Sequence, residues 1–186
     1  LKDPLADFLG AFEQGVIEYS YLDIVKLTGH SCPTVAGAYL MTLKGLQELY
    51  GKEIPTRGAI KVEFRENSTE GVAGVIASVV SQITGATSDT GFKGIGQKFN
   101  RTGLMFFEQK IQANVKFTRI DNGQSVEVHY NPHSIDADPR TPELMEASYL
   151  GEATAEETKL FGELWQDRIK RILIENFNNP ELISFN

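Results

Sequence analysis

The sequence predicts an α+β fold, in which an antiparallel-rich sheet packs with helices in a single domain over residues 1–186. Segments with the alternation of β-strands are grouped in the middle and late chain. Segments with helical periodicity stand on both sides of that group. The chain also has the length and composition of one globular domain, with 186 residues of which 41% are hydrophobic and 23% are charged.

Four helices are predicted from apolar periodicity and from residues that favour helix ends. The first covers residues 3–14 with Asp3 as its N-cap, the second covers 20–29, and the third covers 33–50. Proline opens the third helix, where its missing N–H has no helical partner to lose. The apolar segment 71–85 fits a buried helix or a buried strand, and its length between two glycines favours a helix.

Strands are predicted wherever apolar and polar residues alternate. Residues 59–66 place Ile, Val and Phe on one side and charged residues on the other. Further strands are predicted at 104–110, 113–120 and 125–131. The last two flank the Asp-Asn-Gly sequence at 121–123, which is a strong hairpin turn signal. This hairpin is one reason to expect an antiparallel-rich sheet.

A long C-terminal helix is predicted at about residues 155–176. Thr154 and Glu157 form a capping-box pattern at its start. Apolar residues at helical spacing mark the side that we expect to be buried, namely Phe161, Leu164, Trp165, Ile169, Ile172 and Leu173. The segments 85–103 and 131–143 are rich in polar residues and are predicted to be loops.

Charge and composition exclude several classes of function. The net charge is −7 and there is no basic stripe, so we expect no nucleic-acid partner. No apolar run has the length of a membrane span. A single cysteine excludes an intrachain disulfide and a zinc site made only of cysteines. It fits a reducing compartment, and we expect a cytoplasmic protein, with removal of a segment before Leu1 as an open alternative.

The chain's one cysteine, Cys32, stands two residues after His30 and directly before Pro33, where the third helix begins. Backbone N–H groups are unpaired at a helix start and the helix dipole is positive there, which favours a thiolate. A thiolate beside an imidazole can act as nucleophile and base, or as a pair of metal ligands. We therefore expect His30 and Cys32 to be catalytic or metal-binding residues. The plain alternative is a cysteine that packs as a small hydrophobe beside a loop histidine.

Two motifs carry a resemblance to a known family. GHSCPTVAGAYL at residues 29–40 resembles the GHxCPGxxxGxR signature of the FmdE-like family, which takes its name from formylmethanofuran dehydrogenase. QITGATSDTGFKGIGQK at residues 82–98 resembles the LTGCTxGKGNL stretch of the same family, and the resemblance covers about residues 15–110. It implies an α+β core, frequent dimerisation, and a cleft in which the His-x-Cys pair helps to bind a metal, with zinc expected before other divalent transition metals.

The chain departs from the family pattern at several positions. Ala86 stands in place of the family cysteine of TGCT, and Val75 and Ser78 stand where the family has a cysteine and an acid. Thr34 replaces the glycine after Cys-Pro, and Tyr39 or a neighbour replaces the arginine. The cysteines of the C-terminal zinc finger that some members carry are also missing. A metal site with His30 and Cys32 therefore needs replacement ligands.

His133 and His129 are the candidates for these replacement ligands, because they are the only other histidines. Together with His30 and Cys32 they would make a His₃Cys set, or a three-ligand set with an open position for water. Such an open position suits Lewis-acid or hydrolytic chemistry. The alternatives are an outward-facing strand residue for His129 and a turn residue for His133. Two acids in the same loop are further oxygen ligands or solvated turn residues, Asp136 and Asp138.

The glycine-rich segment 85–103 is a second candidate site. Its backbone N–H groups can surround an anionic group of a cofactor, for which we name Thr87, Gly91, Lys93 and Gly94. The glycine spacing matches neither a Walker loop nor a dinucleotide fingerprint. The alternative is an irregular loop whose glycines are needed for positive φ angles. From the family resemblance we expect the loop to line the same cleft as the His-x-Cys pair.

Three functions follow from these observations. The first is a metal-binding FmdE-like protein that acts on or carries a small molecule. The second is a metal-free thiol enzyme with Cys32 as nucleophile and His30 as base. The third is a small-ligand binding module whose ancestral site has decayed. The expected partners are a small-molecule ligand or substrate and, from the resemblance, a second copy in a homodimer.

Overall fold

The computed structural model describes residues 1–186 and contains six α-helices and one five-stranded sheet. The helices are α1 Pro4–Phe8, α2 Tyr21–Thr28, α3 Pro33–Tyr50, α4 Ala73–Thr84, α5 Thr141–Leu150 and α6 Ala155–Lys170. The strands are β1 Ile60–Phe64, β2 Met105–Phe106, β3 Val115–Arg119, β4 Ser125–Tyr130 and β5 Ile183–Phe185. Short 3₁₀ segments lie at Glu13–Gly15 and Pro132–Ser134, and α6 continues into a π-helical turn at Arg171–Glu175.

The sheet has the strand order β2-β1-β3-β4-β5. β1 pairs parallel with β2, whereas the other three pairs are antiparallel. The register places Phe117 at the centre, opposite Val62 on one side and Val126 on the other. The predicted α+β class with an antiparallel-rich sheet is therefore confirmed, with one parallel pair at the edge.

One face of the sheet forms the core. Val62 and Phe117 belong to the alternating residues that are buried on this face. α3 packs against β3 and β4, and α4 packs against α3. The approach of α3 is close at Gly45, where an added Cβ would lie 2.8 Å from the Phe117 ring. The alternating polar residues of the strands lie on the opposite face, which no helix covers.

Four of the predicted helices are confirmed in position. α2, α3, α4 and α6 begin and end close to the predicted residues, and α6 opens with the Thr154–Glu157 capping box. The expected buried side of the C-terminal helix is only partly correct, since Ile169 and Ile172 are buried and its other four members are half-buried. None of the helices combines the length and apolar character that a membrane crossing requires.

The prediction of a helix over residues 3–14 was wrong. Asp3 caps α1 and Pro4 opens it as expected, but the helix ends at Phe8. Gly10 has a φ of +67°, which takes the chain out of the helical conformation. Phe8, the last residue of α1, and Phe12, beyond its end, are both exposed.

Two further differences concern strands and helices outside the main periodic segments. The predicted strand at 104–110 is only the two-residue β2. Two elements are not predicted from the sequence, namely α5, which begins at the end of the late polar region, and β5, at the chain's last residues. α5 has weak periodicity because it buries a single residue, Thr141, and β5 is three residues long. Neither element carries the repeated pattern on which a prediction depends.

A buried ion cluster ties the N-terminal segment to two distant loops. The Asp3 carboxylate accepts hydrogen bonds from Arg57 Nη1 at 2.8 Å and from Arg101 Nη2 at 2.5 Å. It also accepts the backbone N–H groups of Leu5 and Ala6 as the N-cap of α1. Asp3 and Arg101 are 2% and 5% exposed. Ion pairs this deep are costly to break, because the remaining charge has little water to solvate it.

The contribution of Asp3 to stability depends on pH. Burial raises the pKa of the Asp3 carboxyl, but the Arg57 hydrogen bond, the Arg101 charge and the cap N–H groups outweigh burial and hold the pKa below its usual value. A carboxyl with a lowered pKa in the folded state stabilises the fold above its unfolded pKa of about 3.9, and loses that effect as pH falls through the folded value. In urea titrations, we expect the free-energy difference between wild type and Asp3→Asn to be constant above about pH 5 and to shrink below about pH 4. A difference that grows in acid would contradict this.

Candidate functional site

His30 and Cys32 lie in the short connection between α2 and α3. Gly29 ends α2 in the left-handed conformation with a φ of +73°. Cys32 is the N-cap of α3, and its Sγ accepts the Val35 N–H at 3.4 Å. A serine or aspartate usually fills this capping position. The sulfur of Cys32 thus lies at the N-terminal end of α3, where His30 also reaches it.

The structure brings the imidazole and the thiol into contact. The distance from His30 Nε2 to Cys32 Sγ is 3.5 Å. His30 Nδ1 lies 3.0 Å from the Thr28 carbonyl oxygen, which can only accept a hydrogen bond. Nδ1 therefore carries the proton, and the lone pair of Nε2 faces the sulfur. Thr28 Oγ1 also donates to the His30 carbonyl at 2.9 Å, which fixes the backbone of the same loop.

Hydrogen bonds from other elements hold the His30–Cys32 loop in place. Tyr130, the last residue of β4, donates its hydroxyl to the Pro33 carbonyl at 2.8 Å. Trp165 of α6 donates its indole N–H to the Ser31 carbonyl at 2.9 Å. The Tyr21 hydroxyl and Ser31 Oγ share a hydrogen bond of 2.8 Å. The loop is thus fixed by residues from α2, β4 and α6.

The tyrosines beside Cys32 stay neutral. Burial raises the pKa of Tyr130 far above its ordinary value, the Arg168 charge opposes that shift, and Cys32 and Tyr21 add to it. Burial also raises the pKa of Tyr21, against the effect of the Ser31 hydrogen bond. Both phenols therefore keep their protons at neutral pH and act as hydrogen-bond donors or acceptors rather than as bases.

The structure places the two other histidines apart from this pair. His129 is exposed on β4, opposite Ser184, on the sheet face that α3 does not cover. His133 is exposed in the Pro132–Ser134 segment, which packs against α3. No three His, Cys, Asp or Glu side chains are grouped so that they could hold a metal ion. The four-residue ligand set is therefore not assembled in this arrangement, and the part that is assembled consists of His30 and Cys32.

The two acids of the same late loop also lie apart from the pair. Asp138 is occupied by Arg140, whose Nε is 2.9 Å from Oδ1. Hydrogen bonds from this arginine lower the pKa of Asp138 to about 2. Asp136 is exposed, and its carbonyl oxygen accepts a hydrogen bond from Arg171. Asp138 therefore has the role of a loop-stabilising residue.

The spacing within the pair fits one zinc ion. Zinc binds thiolate at about 2.3 Å and imidazole nitrogen at about 2.0–2.1 Å, and a tetrahedral angle then separates the two donor atoms by about 3.6 Å. The observed separation of Nε2 and Sγ is 3.5 Å. The Nδ1–H bond to the Thr28 carbonyl is the kind of outer contact that orients metal-binding histidines. The spacing of His30 and Cys32 therefore fits two ligands of one zinc ion, and the other coordination positions of the ion need other groups.

The glycine-rich loop forms a different feature of the surface. Thr87 uses its hydroxyl to donate to the Arg101 carbonyl at 2.8 Å. Gly91 and Gly94 have φ angles of +146° and +93°, as expected for an irregular loop that needs glycine, and Lys93 is exposed. Thr87 lines a groove of about 320 Å³ between α4 and β2, whose other polar lining residues are also hydroxyl-bearing, namely Ser68, Ser78, Ser81, Ser88 and Thr90. Neither His30 nor Cys32 belongs to this lining.

A second cavity, of about 180 Å³, is mainly apolar. Leu43, Leu46 and Ile83 line it together with the rings of Tyr19 and Tyr39. The Tyr39 hydroxyl donates to the Tyr19 carbonyl at 3.3 Å. The cavity is large enough for a small cyclic molecule, since an engineered apolar cavity of about 150 Å³ holds benzene.

The residues that support the His30–Cys32 pair are not predictable from the sequence. Tyr130 lies in a predicted strand and Trp165 on a predicted buried helix face, whereas Arg168 is not among the predicted site residues. Each acts through a hydrogen bond to a main-chain carbonyl that lies 33 or more positions away in sequence.

The fold and this loop define an α+β protein with a His-x-Cys pair at the start of its central helix. The family model described as FmdE, Molybdenum formylmethanofuran dehydrogenase operon, matches residues 27–179, which is most of the chain. The chain therefore belongs to the FmdE family, and the resemblance seen in its two motifs is confirmed. No curated protein gives a significant match. The matched region includes His30, Cys32, Tyr130 and Trp165.

Proposed function

We propose that this protein binds a divalent transition metal, with zinc as the first candidate, through His30 and Cys32, and that it acts on or carries a small molecule. The description of the family connects it with molybdenum formylmethanofuran dehydrogenase operons, and metal binding agrees with that association. The observation that carries the proposal is the 3.5 Å separation of Nε2 and Sγ in a loop that other elements hold in place.

The other ligand positions are assigned from the placement of the histidines. His133 is the protein ligand that we favour, because its segment packs against the helix that begins at Cys32. His129 faces the opposite side of the sheet and is the weaker candidate. Water or a small molecule fills what the protein leaves open. When bound in such a site, zinc supplies Lewis-acid polarisation of a ligand oxygen.

The chain's own residues have defined roles in this proposal. Cys32 supplies a thiolate whose sulfur also accepts the Val35 N–H. His30 supplies Nε2, and the Thr28 carbonyl keeps the proton on Nδ1. Tyr130 fixes the first turn of α3 through its bond to the Pro33 carbonyl. Loss of either residue breaks this chelating pair, and we expect the metal ion to be held far less tightly.

The test is elemental analysis of protein purified without added metal or chelator. We expect close to one zinc or other transition metal per site in the wild type, and its loss in both Cys32→Ser and His30→Ala. His129→Ala is the matched control and should retain the metal, because that side chain faces away from α3. Absence of metal from the wild type, even after reconstitution, would exclude the proposal. Loss of metal in His129→Ala would return that residue to the ligand set.

The same contact also supports a second function, that of a metal-free thiol enzyme. Nε2 is placed to accept the Cys32 proton, and the thiolate would then attack an electrophilic carbon. Alkylation by iodoacetamide distinguishes the two functions. A metal-bound thiolate is protected until a chelator is added, so we expect alkylation to be slow before chelation and fast after it. Rapid alkylation that a chelator does not change, in protein without metal, would favour the thiol enzyme.

Two further expectations about the whole protein stay predictions. A homodimer follows from the family resemblance, and light scattering after size-exclusion chromatography would measure it. A cytoplasmic location is supported by the one free cysteine, Cys32. The net charge of −7 likewise supports a small molecule, rather than a nucleic acid, as the ligand.

A further inference from the structure

The apolar cavity of about 180 Å³ lies beside the second half of α3. Tyr39, Leu43 and Leu46 line it at spacings of four and three residues, so they form one stripe of the helix. Ile83 supplies a further wall from α4, which packs against α3. Leu46 and Ile83 are each 4% exposed and belong to the hydrophobic core. The cavity is therefore a part of the folded core, and it is formed before any ligand binds.

The two tyrosine rings of the cavity are held by contacts with other residues. Tyr39 meets the ring of Tyr21 edge-on at a centroid distance of 5.6 Å, and its hydroxyl donates to the Tyr19 carbonyl at 3.3 Å. The Arg57 guanidinium lies 5.9 Å from the centroid of the Tyr19 ring. Aromatic rings prefer stacked or edge-to-face contacts with other rings, and side chains that are already fixed lose little entropy on binding. These walls therefore favour a flat ring as the ligand.

The charges around the cavity disfavour an anion. No lysine or arginine lines it, whereas Glu53 does. Burial raises the pKa of Tyr39, and the negative charges of Asp23 and Glu18 raise it further. The phenol of Tyr39 is thus neutral, and the potential at its hydroxyl is negative. A carboxylate or phosphate would enter this potential without a cation to pair with.

A cation is disfavoured for a different reason. The carboxylate of Glu53 already pairs with Arg119 at 2.9 Å. Burying an ammonium group among leucine and isoleucine side chains without a free counter-ion is costly. The exposed residues Gln47 and Glu53 stand among the lining residues and leave the cavity open to solvent on their side. A small polar substituent can therefore stay hydrated at this mouth while the rest of a ligand is buried.

The volume limits the ligand to one ring. An engineered apolar cavity of about 150 Å³ holds benzene, so about 180 Å³ admits a six-membered ring with one or two small substituents. The same volume is too small for a helix or a strand of a partner protein. Sites for small molecules are commonly of this kind, concave and mostly apolar with a few polar groups.

We propose that this cavity is a binding site for a neutral monocyclic aromatic molecule, whose ring lies among Tyr39, Leu43 and Leu46 and whose polar substituent, if present, lies at the mouth. The site is separate from the His30–Cys32 pair, since neither residue lines it. Tyr39 follows Cys32 by seven positions in α3, which is a distance of about 10 Å along the helix. The inference goes beyond the proposed function and does not depend on a metal.

Four probes of similar size test the chemistry of the ligand, with binding to the full chain measured by isothermal titration calorimetry. We expect toluene and p-cresol to bind with dissociation constants of about 1 mM or lower. Benzoate and benzylammonium should bind at least about 10-fold more weakly, because each brings a charge that the cavity does not pair. Failure of both neutral rings to bind would overturn the proposal. Tighter binding of either charged probe would overturn the assignment of a neutral ligand.

Substitutions of Leu43 test the location. Leu43→Phe places additional ring atoms in the cavity and should weaken p-cresol binding at least about 10-fold. Leu43→Ala enlarges the cavity and should allow the two-ring probe 1-naphthol to bind, which gives a second test if Leu43→Phe does not fold. Glu48→Ala is the matched control, because Glu48 is an exposed residue of α3 that does not line the cavity, and it should bind p-cresol as the wild type does. Melting temperatures show whether each variant is folded. Undiminished p-cresol binding in folded Leu43→Phe, or no gain of 1-naphthol binding in Leu43→Ala, would overturn the location.

Methyl NMR spectra of the wild type provide a direct readout of the same site. An aromatic ring in the cavity shifts the methyl resonances of Leu43, Leu46 and Ile83, whereas the methyl groups of Val115 and Val128 in the sheet should keep their positions. EDTA should change neither the shifts nor the affinity, so the outcome is independent of the metal analysis. Shifts confined to other methyl groups would overturn the location.

The remaining alternative is an aromatic side chain of a second copy of this chain. Light scattering with and without saturating p-cresol distinguishes this occupant from a free ligand. We expect the same oligomeric state in both samples. Dissociation of an oligomer by p-cresol would overturn the proposal, because it would show that the cavity is filled by the neighbouring copy.

Discussion

Replacing Asp3 with alanine will lower the free energy of unfolding by about 3–5 kcal/mol, the usual cost of removing one partner from a buried ion pair. The substitution leaves the guanidinium groups of Arg57 and Arg101 in the interior without their carboxylate. Arg101 is 5% exposed and its Nε has no partner even in the intact protein. The loss of the α1 cap adds to the destabilisation.

Urea or guanidinium unfolding of wild type and variant measures this effect. Asp121→Ala is the matched control, because Asp121 also pairs with a buried arginine, Arg119, but is itself exposed. Arg119 keeps its second carboxylate, Glu53, at 2.9 Å in that variant. We therefore expect Asp121→Ala to destabilise the protein much less. Similar losses of unfolding free energy in the two variants would show that the buried Asp3 cluster stabilises the protein no more than the Asp121–Arg119 pair does.

Replacing Gly37 with alanine will destabilise the protein by about 1–3 kcal/mol, although alanine is the better helix former. An added Cβ at Gly37 would overlap the Tyr130 ring, at a separation too small for any pair of carbon atoms. The Tyr130 hydroxyl donates a hydrogen bond to the Pro33 carbonyl, so the ring cannot move away from α3 without breaking that bond. Either Tyr130 or the first turn of α3 has to move.

Gly162→Ala is the matched control, for which we expect the opposite effect on the free energy of unfolding. Gly162 is a helical glycine in α6 with nothing within 4 Å of an added Cβ. Alanine there should stabilise the protein by about 0.5–1 kcal/mol, because glycine loses more backbone freedom on folding. Denaturant unfolding measures both variants. A stabilising Gly37→Ala would mean that Tyr130 does not pack on α3 as described.

The substitution at Gly37 also has a consequence for the site. Displacement of Tyr130 releases the Pro33 carbonyl, and Cys32 is the residue directly before Pro33. We expect Gly37→Ala to loosen the Cys32 cap as well as the core. Gly37, the second glycine of the GHSCPTVAG stretch, is thus explained by the close approach of the Tyr130 ring.

The helices that were predicted well carry their own end signals. α3 was predictable because Pro33 opens it and Gly51 follows its last turn, and α6 because Thr154 and Glu157 cap it. The β3–β4 hairpin was predictable from its Asn-Gly turn. α1 was overestimated because apolar spacing alone does not show that a glycine will end the helix. α5 was missed because it packs mainly on α6 and has little apolar periodicity.

The candidate site was predictable only where its residues are neighbours in sequence. His30 and Cys32 are two positions apart at a helix start, so their contact follows from local geometry. His129 was included because of its residue type, and strand alternation then placed it on the open face of the sheet. The hydrogen bonds from Tyr130 and Trp165 link residues 97 and 134 positions apart, and no sequence pattern encodes such pairings.

Because α5 lies at the periphery of the molecule, we expect its local unfolding to cost less free energy than opening of the central sheet. α5 buries only Thr141, and Tyr149 is 84% exposed, so little apolar surface is lost when this helix frays or detaches. β3 lies between two strands and beneath α3, and its amides become accessible only when the whole sheet opens. α5 can therefore melt and re-form as a separate unit, while the core that supports the His30–Cys32 loop stays folded.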